Sequence, residues 1–248
     1  MFGDRSLRGV LGFTEVQAMY FDPMYFVFSM PAFLFAMYAQ WKVSSTFGKY
    51  QNVNSSGGFT GEQIARRLLD AEGLFGVTIE ATPGELTDHY DPRTKVVRLS
   101  ESTMYRTSVA AVGVVAHEVG HAIQDATGYA PMRLRTSLVP VAGLGSSLGY
   151  ILFFAGMFLN FFNLSLIGLL LFSAAAVFAA VTLPVEFNAS NRAMRLLVDN
   201  GLVTSYDADL ARKVLDAAAL TYVAGLAQAL SQVLYYAMIL SGMRRRDD

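Results

Sequence analysis

Residues Val114–Ile123 read VVAHEVGHAI, with His117 and His121 four positions apart and Glu118 between them. On an α-helix, positions i and i+4 stack on one face, so the two imidazoles can reach a single ion at zinc-bonding distance. Glu118 projects from the neighbouring edge of that face, where a carboxylate can take a proton from water and hand it to a leaving amine. The flanking Val114, Val115, Ala116, Val119, Ala122 and Ile123 are uncharged, which suits a helix buried beside a metal. The plainer alternative is a buried helix whose histidines hydrogen-bond locally.

The chain around this stretch is apolar. Of its 248 residues, 53% are hydrophobic and 16% charged, and the mean hydropathy is +0.37. That is too apolar for an ordinary soluble domain of this size, and it points to a membrane protein in contact with a lipid bilayer. A formal net charge of -1 gives no basic surface for nucleic acid, so a nucleic-acid partner is excluded. The absence of cysteine excludes disulfides, thiolate metal sites and a cysteine nucleophile.

Charge-free intervals locate the membrane segments. Residues 23–41 carry no Asp, Glu, Lys or Arg, and Tyr20, Tyr25, Tyr38 and Trp41 sit toward the ends as interfacial anchors. They are read as a first transmembrane helix, with Pro31 as a possible kink, in preference to a cleaved signal peptide. After Arg135 the next charge is Glu186, an interval long enough for two spans of roughly 20 residues each. A helical hairpin is therefore expected over 138–183, as 138–159 and 164–183 around Asn160-Phe161-Phe162-Asn163. A last charge-free interval, 217–243, is read as a fourth span. In it Thr221, Gly225, Gln228 and Gln232 fall on one helix face.

Only 59–135 has the character of a soluble domain. Thr60 and Gln63 have capping-box spacing before an amphipathic run, and Asn52–Gly58 reads as a flexible connector. Val77–Ala81, Leu86–Tyr90 and Lys95–Leu99 read as strands, the last two around Asp91-Pro92-Arg93-Thr94. Ser108 is positioned to cap the helix that carries the two histidines. The expected fold is a mainly α membrane protein: a zincin-like metallopeptidase domain with a small β-sheet, joined to about four transmembrane helices. Residues 184–216 form a helix bearing Glu186 and a following helix that complete the site.

A third metal ligand has two candidates. His89 is the one remaining histidine, and Glu186 ends the long apolar interval. A hairpin returns the chain to the membrane face it left, so Glu186 comes back to the side of His121. If it opens a helix just outside the bilayer, it can join the two histidines and leave one position for water. The bland reading of Glu186 is an exposed charge ending a span. His89 reads first as an ordinary strand or turn residue, and second as a hydrogen-bond donor to substrate in the cleft.

HEVGHAIQ, the upstream DHYDPRTKVVRLS, the following YAPMRLR and LVP, and the later LPVEFNASNRA together resemble the YugP-type membrane zinc metallopeptidases. More distantly, an HExxH motif followed by a membrane hairpin and a Glu-bearing helix is similar to the HtpX-type gluzincins. The resemblance implies a zinc endopeptidase in which His117, His121 and Glu186 bind Zn2+ and Glu118 is the general base. One departure stands out. HtpX-type enzymes carry Asp four residues after the glutamate ligand, and here that position is Ser190, so support for a zinc histidine is expected from Asn188, Asn191 or Asp125. The resemblance also implies a strand edge that pairs with extended substrate, for which Lys95–Leu99, with Val96 and Val97, is the candidate; a simple structural strand is an equal alternative. Tyr90, Tyr105, Tyr129 and Tyr222 are the candidate oxyanion donors.

Three functional classes follow. The first is a multi-pass endopeptidase of the cell membrane, with its site at the bilayer surface, acting on polypeptides such as membrane or unfolded proteins. The second is an intramembrane zinc protease, disfavoured by Glu101 and Arg106 before the motif and by the lack of Asp in the hairpin and final span. The third is a zinc-containing scaffold working through a membrane-protein partner or a homo-oligomer. Arg5, Arg8, Arg244, Arg245 and Arg246 favour cytoplasmic termini, while Lys42, Arg133, Arg135, Arg192 and Arg195 favour the opposite orientation.

Overall fold

Capping chemistry starts the helices of the zinc-motif region. The computed structural model describes residues 23–247; Arg5, Arg8 and Tyr20, and the side chains of Arg244, Arg245 and Arg246, lie outside what it describes. Helix α1 is Pro23–Tyr50. Thr60 then caps α2 (Gly61–Ala71) in a reciprocal box: the Gln63 N–H donates to Thr60 Oγ1 at 3.4 Å, and the Thr60 N–H donates to Gln63 Oε1 at 3.1 Å. Ile64, Ala65, Leu68 and Leu69 form its buried face.

Strands β1 (Thr78–Thr82), β2 (His89–Asp91) and β3 (Val96–Ser100) follow. The sheet order is β1-β3-β2, with β1 parallel and β2 antiparallel to β3. The second strand is shorter than expected because Leu86 has φ 56°, outside the extended region, and pairing begins only at His89. The expected substrate edge is also corrected. β3 is hydrogen-bonded on both sides and lies at the centre, with Val96 and Val97 buried, so neither presents a free edge.

After a short α3 (Glu101–Met104), Ser108 caps α4 (Val109–Ala126) by accepting from the Ala111 N–H at 3.2 Å. This helix is the hub of the main core. It is buried nearly all round, between α2 and the sheet on one side and the later helices on the other.

Helices α5 (Ala130–Phe158), α6 (Phe162–Phe172), α7 (Ala174–Asp199) and α8 (Ser205–Asp247) complete the chain. Among the described residues, three helical stretches are long and apolar enough to cross a membrane: Ala130–Phe158, the run of α6 and α7 from Phe162 to Asp199, and Ser205–Met243. The expected first span is not among them. Its helix is long enough, but Pro23, Pro31, Ser29, Gln40 and three tyrosines dilute its hydropathy, and it continues nine residues beyond Trp41 to Tyr50. Its outer face nevertheless carries exposed Phe26, Val27, Phe33, Leu34 and Met37.

Within the hairpin the backbones nearly touch. A Cβ on Gly149 would lie 2.5 Å from the Phe172 nitrogen, and one on Gly168 would lie 2.3 Å from the Phe153 nitrogen. Glu186 does not open a new helix. It sits inside α7, which runs through Pro184, and α8 likewise passes unbroken from its charged start into the apolar interval.

Candidate active site

Two helix faces, each offering residues four apart, meet across a glycine. α4 presents His117 and His121, and α7 presents Glu186 and Ser190. Gly120 allows the approach, because a Cβ there would lie 2.8 Å from the Ala189 carbonyl oxygen. The result is a triangle of ligand atoms. His117 Nε2 is 3.1 Å from Glu186 Oε2, the two histidine Nε2 atoms are 3.1 Å apart, and His121 Nε2 is 3.4 Å from Glu186 Oε2.

These edges match a tetrahedral ion. Zinc bonds of about 2.05 Å place neighbouring ligand atoms about 3.3 Å apart. The protonation pattern agrees. Gln124 is fully buried and donates through Nε2 to the Val185 carbonyl at 2.8 Å and to Asn188 Oδ1 at 3.0 Å, which fixes the orientation of its amide. Its Oε1 can only accept, so His121 Nδ1, 3.0 Å away, carries the proton and Nε2 turns a lone pair toward the centre of the triangle. Burial alone would lower the His121 pKa, but the adjoining Glu186 carboxylate outweighs it and raises that pKa. In the neutral imidazole that lone pair faces the carboxylate, and either a proton or a metal ion between the two satisfies both. The other oxygen of Glu186, Oε1, makes no well-formed hydrogen bond and lies 3.5 Å from an Arg135 guanidinium nitrogen.

His117 is oriented by Ser190, whose hydroxyl oxygen lies 3.1 Å from Nδ1. The departure from the HtpX pattern therefore leaves this position in a supporting role, since the serine itself reaches an imidazole of the triangle. Of the three substitutes expected, Asn188 acts one step removed, through Gln124. Asn191 instead accepts from Arg212, and Asp125 accepts from the Tyr90 hydroxyl and from Lys95.

Glu118 is buried beside the triangle, and its Oε2 accepts the Tyr90 backbone N–H at 2.9 Å. Because that N–H points away from β3, the short edge strand β2 positions the carboxylate. The Tyr90 hydroxyl is turned toward Asp125, and burial followed by that hydrogen bond raises its pKa. His89 stands apart from the triangle: it is exposed, with Nδ1 2.8 Å from the Thr87 carbonyl. A cleft of about 180 Å³ opens beside His117 and Glu118, with Leu86, Asp88 and Tyr222 on its walls. Among the four tyrosines considered, Tyr222 is the one that lines it.

Gln124, Arg135 and Gly120 were not identified as site residues from sequence. A neutral amide and a glycine carry no spacing signal of their own, although Gln124 lies one helical turn beyond His121.

A histidine pair on one helix closed by a glutamate of another is a group that could hold a metal ion, and its ligand types are those of zinc metallopeptidases. The chain belongs to the family described as "Putative neutral zinc metallopeptidase", which matches residues 25–241. It is 46% identical over 217 residues to the "Putative membrane protease YugP" of Bacillus subtilis, covering 87% of this chain and 96% of that protein. No solved structure matches it.

Proposed function

We propose that the chain is a multi-pass, membrane-anchored zinc endopeptidase in which His117, His121 and Glu186 hold the metal and Glu118 is the general base. The carrying observation is the triangle of ligand atoms with edges of 3.1, 3.1 and 3.4 Å beside the Glu118 carboxylate. Zinc held there acidifies water and polarises a substrate carbonyl.

The chain's own groups do the rest. The Tyr90 N–H holds Glu118 Oε2, which leaves Oε1 to take the proton of the attacking water. As the water oxygen bonds to the carbonyl carbon and the C–N bond breaks, that proton passes from Glu118 to the departing nitrogen. Ser190 and Gln124 keep the two imidazoles turned inward throughout. Substrate lies in extended form past Leu86 and Asp88, where the chain enters β2, and not along the buried β3.

The test pairs metal content per chain with cleavage of an unfolded reporter protein. Glu186→Ala should lose both zinc and activity, and His89→Ala should keep both. Glu118→Gln should keep zinc and lose cleavage. Zinc loss in His89→Ala with zinc retained in Glu186→Ala would overturn the ligand set, and unchanged cleavage by Glu118→Gln would overturn the mechanism.

A further inference from the structure

One side of the cleft, on α1, α7 and α8, is built from residues near the points where the charge-free intervals of the chain end. Val43 on α1 is two residues past Trp41. Glu186 on α7 is the first charge after the hairpin's apolar interval, and Ser190 lies one turn further. On α8, Leu215 precedes Asp216, the last charge before Arg244, while Ala218, Ala219 and Tyr222 fall in the first turns of the apolar interval. At 1.5 Å per residue, these positions lie within about 8 Å, measured along their helices, of the ends of those intervals. The polar boundary of a bilayer fitted to the apolar stretches of α7 and α8 therefore passes along this side of the cleft.

The lining agrees with that position. Val43, Val114, Leu215, Ala218 and Ala219 offer only aliphatic surface. Asp88, the acidic wall residue outside the catalytic set, is already engaged by the Ser100 N–H and hydroxyl and by Thr103. A cleft of about 180 Å³ with this lining takes an apolar side chain of an extended segment, and among the described residues that line it there is no Lys or Arg to receive an acidic one.

We infer that this site cleaves membrane-anchored polypeptides within the first few residues that emerge from the bilayer, with an apolar side chain seated among Val43, Leu215, Ala218 and Ala219. The inference rests on the zinc-peptidase reading of the same site. Co-residence in the bilayer supplies the high local concentration that a shallow aliphatic subsite does not supply to a dissolved peptide.

The experiment uses the full chain loaded with zinc and reconstituted in liposomes with single-span substrates. One set carries an extended apolar sequence directly after the span. A second set places the same sequence beyond a flexible spacer of about 20 residues, which puts it outside the interface. A third supplies the sequence as a soluble peptide. The directly attached sequence should be cut at least about tenfold faster than the other two. Replacing its apolar residue next to the cut with Asp should abolish that advantage, and Ala218→Trp, which fills the cleft, should remove cleavage while zinc content is unchanged. Equal rates for the three placements would overturn this inference and leave the peptidase standing. No cleavage of any substrate, the unfolded reporter included, would overturn both.

Discussion

Ser190 and Gln124 both brace a histidine, but their chemistry differs. A hydroxyl can donate or accept, whereas Gln124 Oε1 can only accept, because its Nε2 is committed to Val185 and Asn188. Gln124 thus fixes the His121 tautomer and also ties the histidine helix to the glutamate helix. Gln124→Leu leaves the buried His121 N–H and the Val185 carbonyl without these partners. Zinc affinity should fall about 10- to 100-fold, the usual effect of removing a group that orients a metal ligand. Gln124→Glu keeps the acceptor for His121 and loses the donor to Val185, so it should recover part of that affinity. Competition with a chelator, read as zinc retained per chain, measures both. Equal affinity in wild type and Gln124→Leu would remove Gln124 from this role. Sequence made the three proposed ligands legible because fixed helical spacing and an isolated charge leave a pattern. A buried amide leaves none, and its role emerges only when Val185 and Asn188 are seen beside it.

At the level of elements, the site depends on how closely α4 and α7 approach. Gly120 is the contact point, and its Cβ-free surface is as necessary to the triangle as the ligands on either side of it. Gly120→Ala places a methyl group 2.8 Å from the Ala189 carbonyl oxygen, so the helices must separate. Overpacking of this kind costs about 1–3 kcal/mol. The more specific consequence is that His117 and His121 move away from Glu186. Zinc binding should therefore weaken in Gly120→Ala more than stability alone explains. The hairpin variant Gly149→Leu is the control: it meets the Phe172 nitrogen at a still closer 2.5 Å in the hairpin, away from the triangle, and should lower stability with little change in zinc affinity. Similar zinc loss in both variants would count against the geometric account. The helix starts at Thr60 and Ser108 were readable because caps are local chemistry. Strand order was not. A three-residue β2 preceded by Leu86 at φ 56° carries too little alternation to reveal that it, and not β3, takes the edge beside Glu118.

Across the whole molecule, α1 and α8 run side by side and are fastened at both ends. Near the end of the bundle remote from the zinc motif, the Ser231 hydroxyl bonds the Phe28 carbonyl, and Tyr25 packs edge-on against Tyr235 at 5.2 Å. At the zinc-motif end, the connector after α1 turns back so that the Ser56 N–H and hydroxyl both donate to Asp207, in the first turn of α8. This clamp ties the connector after α1 to the start of α8, the two helices that carry Val43 and Leu215 of the cleft. It is also acid-sensitive. Burial pushes the Asp207 pKa up, but the donors from Ser56 and Thr204 outweigh it and hold the folded-state pKa below the ordinary value. A lowered folded pKa means that the stabilisation is fully present above the unfolded value of about 3.9 and is lost as pH falls through the folded value. Asp207→Asn, which keeps an acceptor but cannot titrate, should be less stable than wild type at neutral pH. The gap should close as the medium is acidified below about pH 4. Thermal unfolding of both chains in detergent, followed from neutral pH into that range, measures it. A gap that stays constant throughout would show that the charge of Asp207 does not carry the clamp.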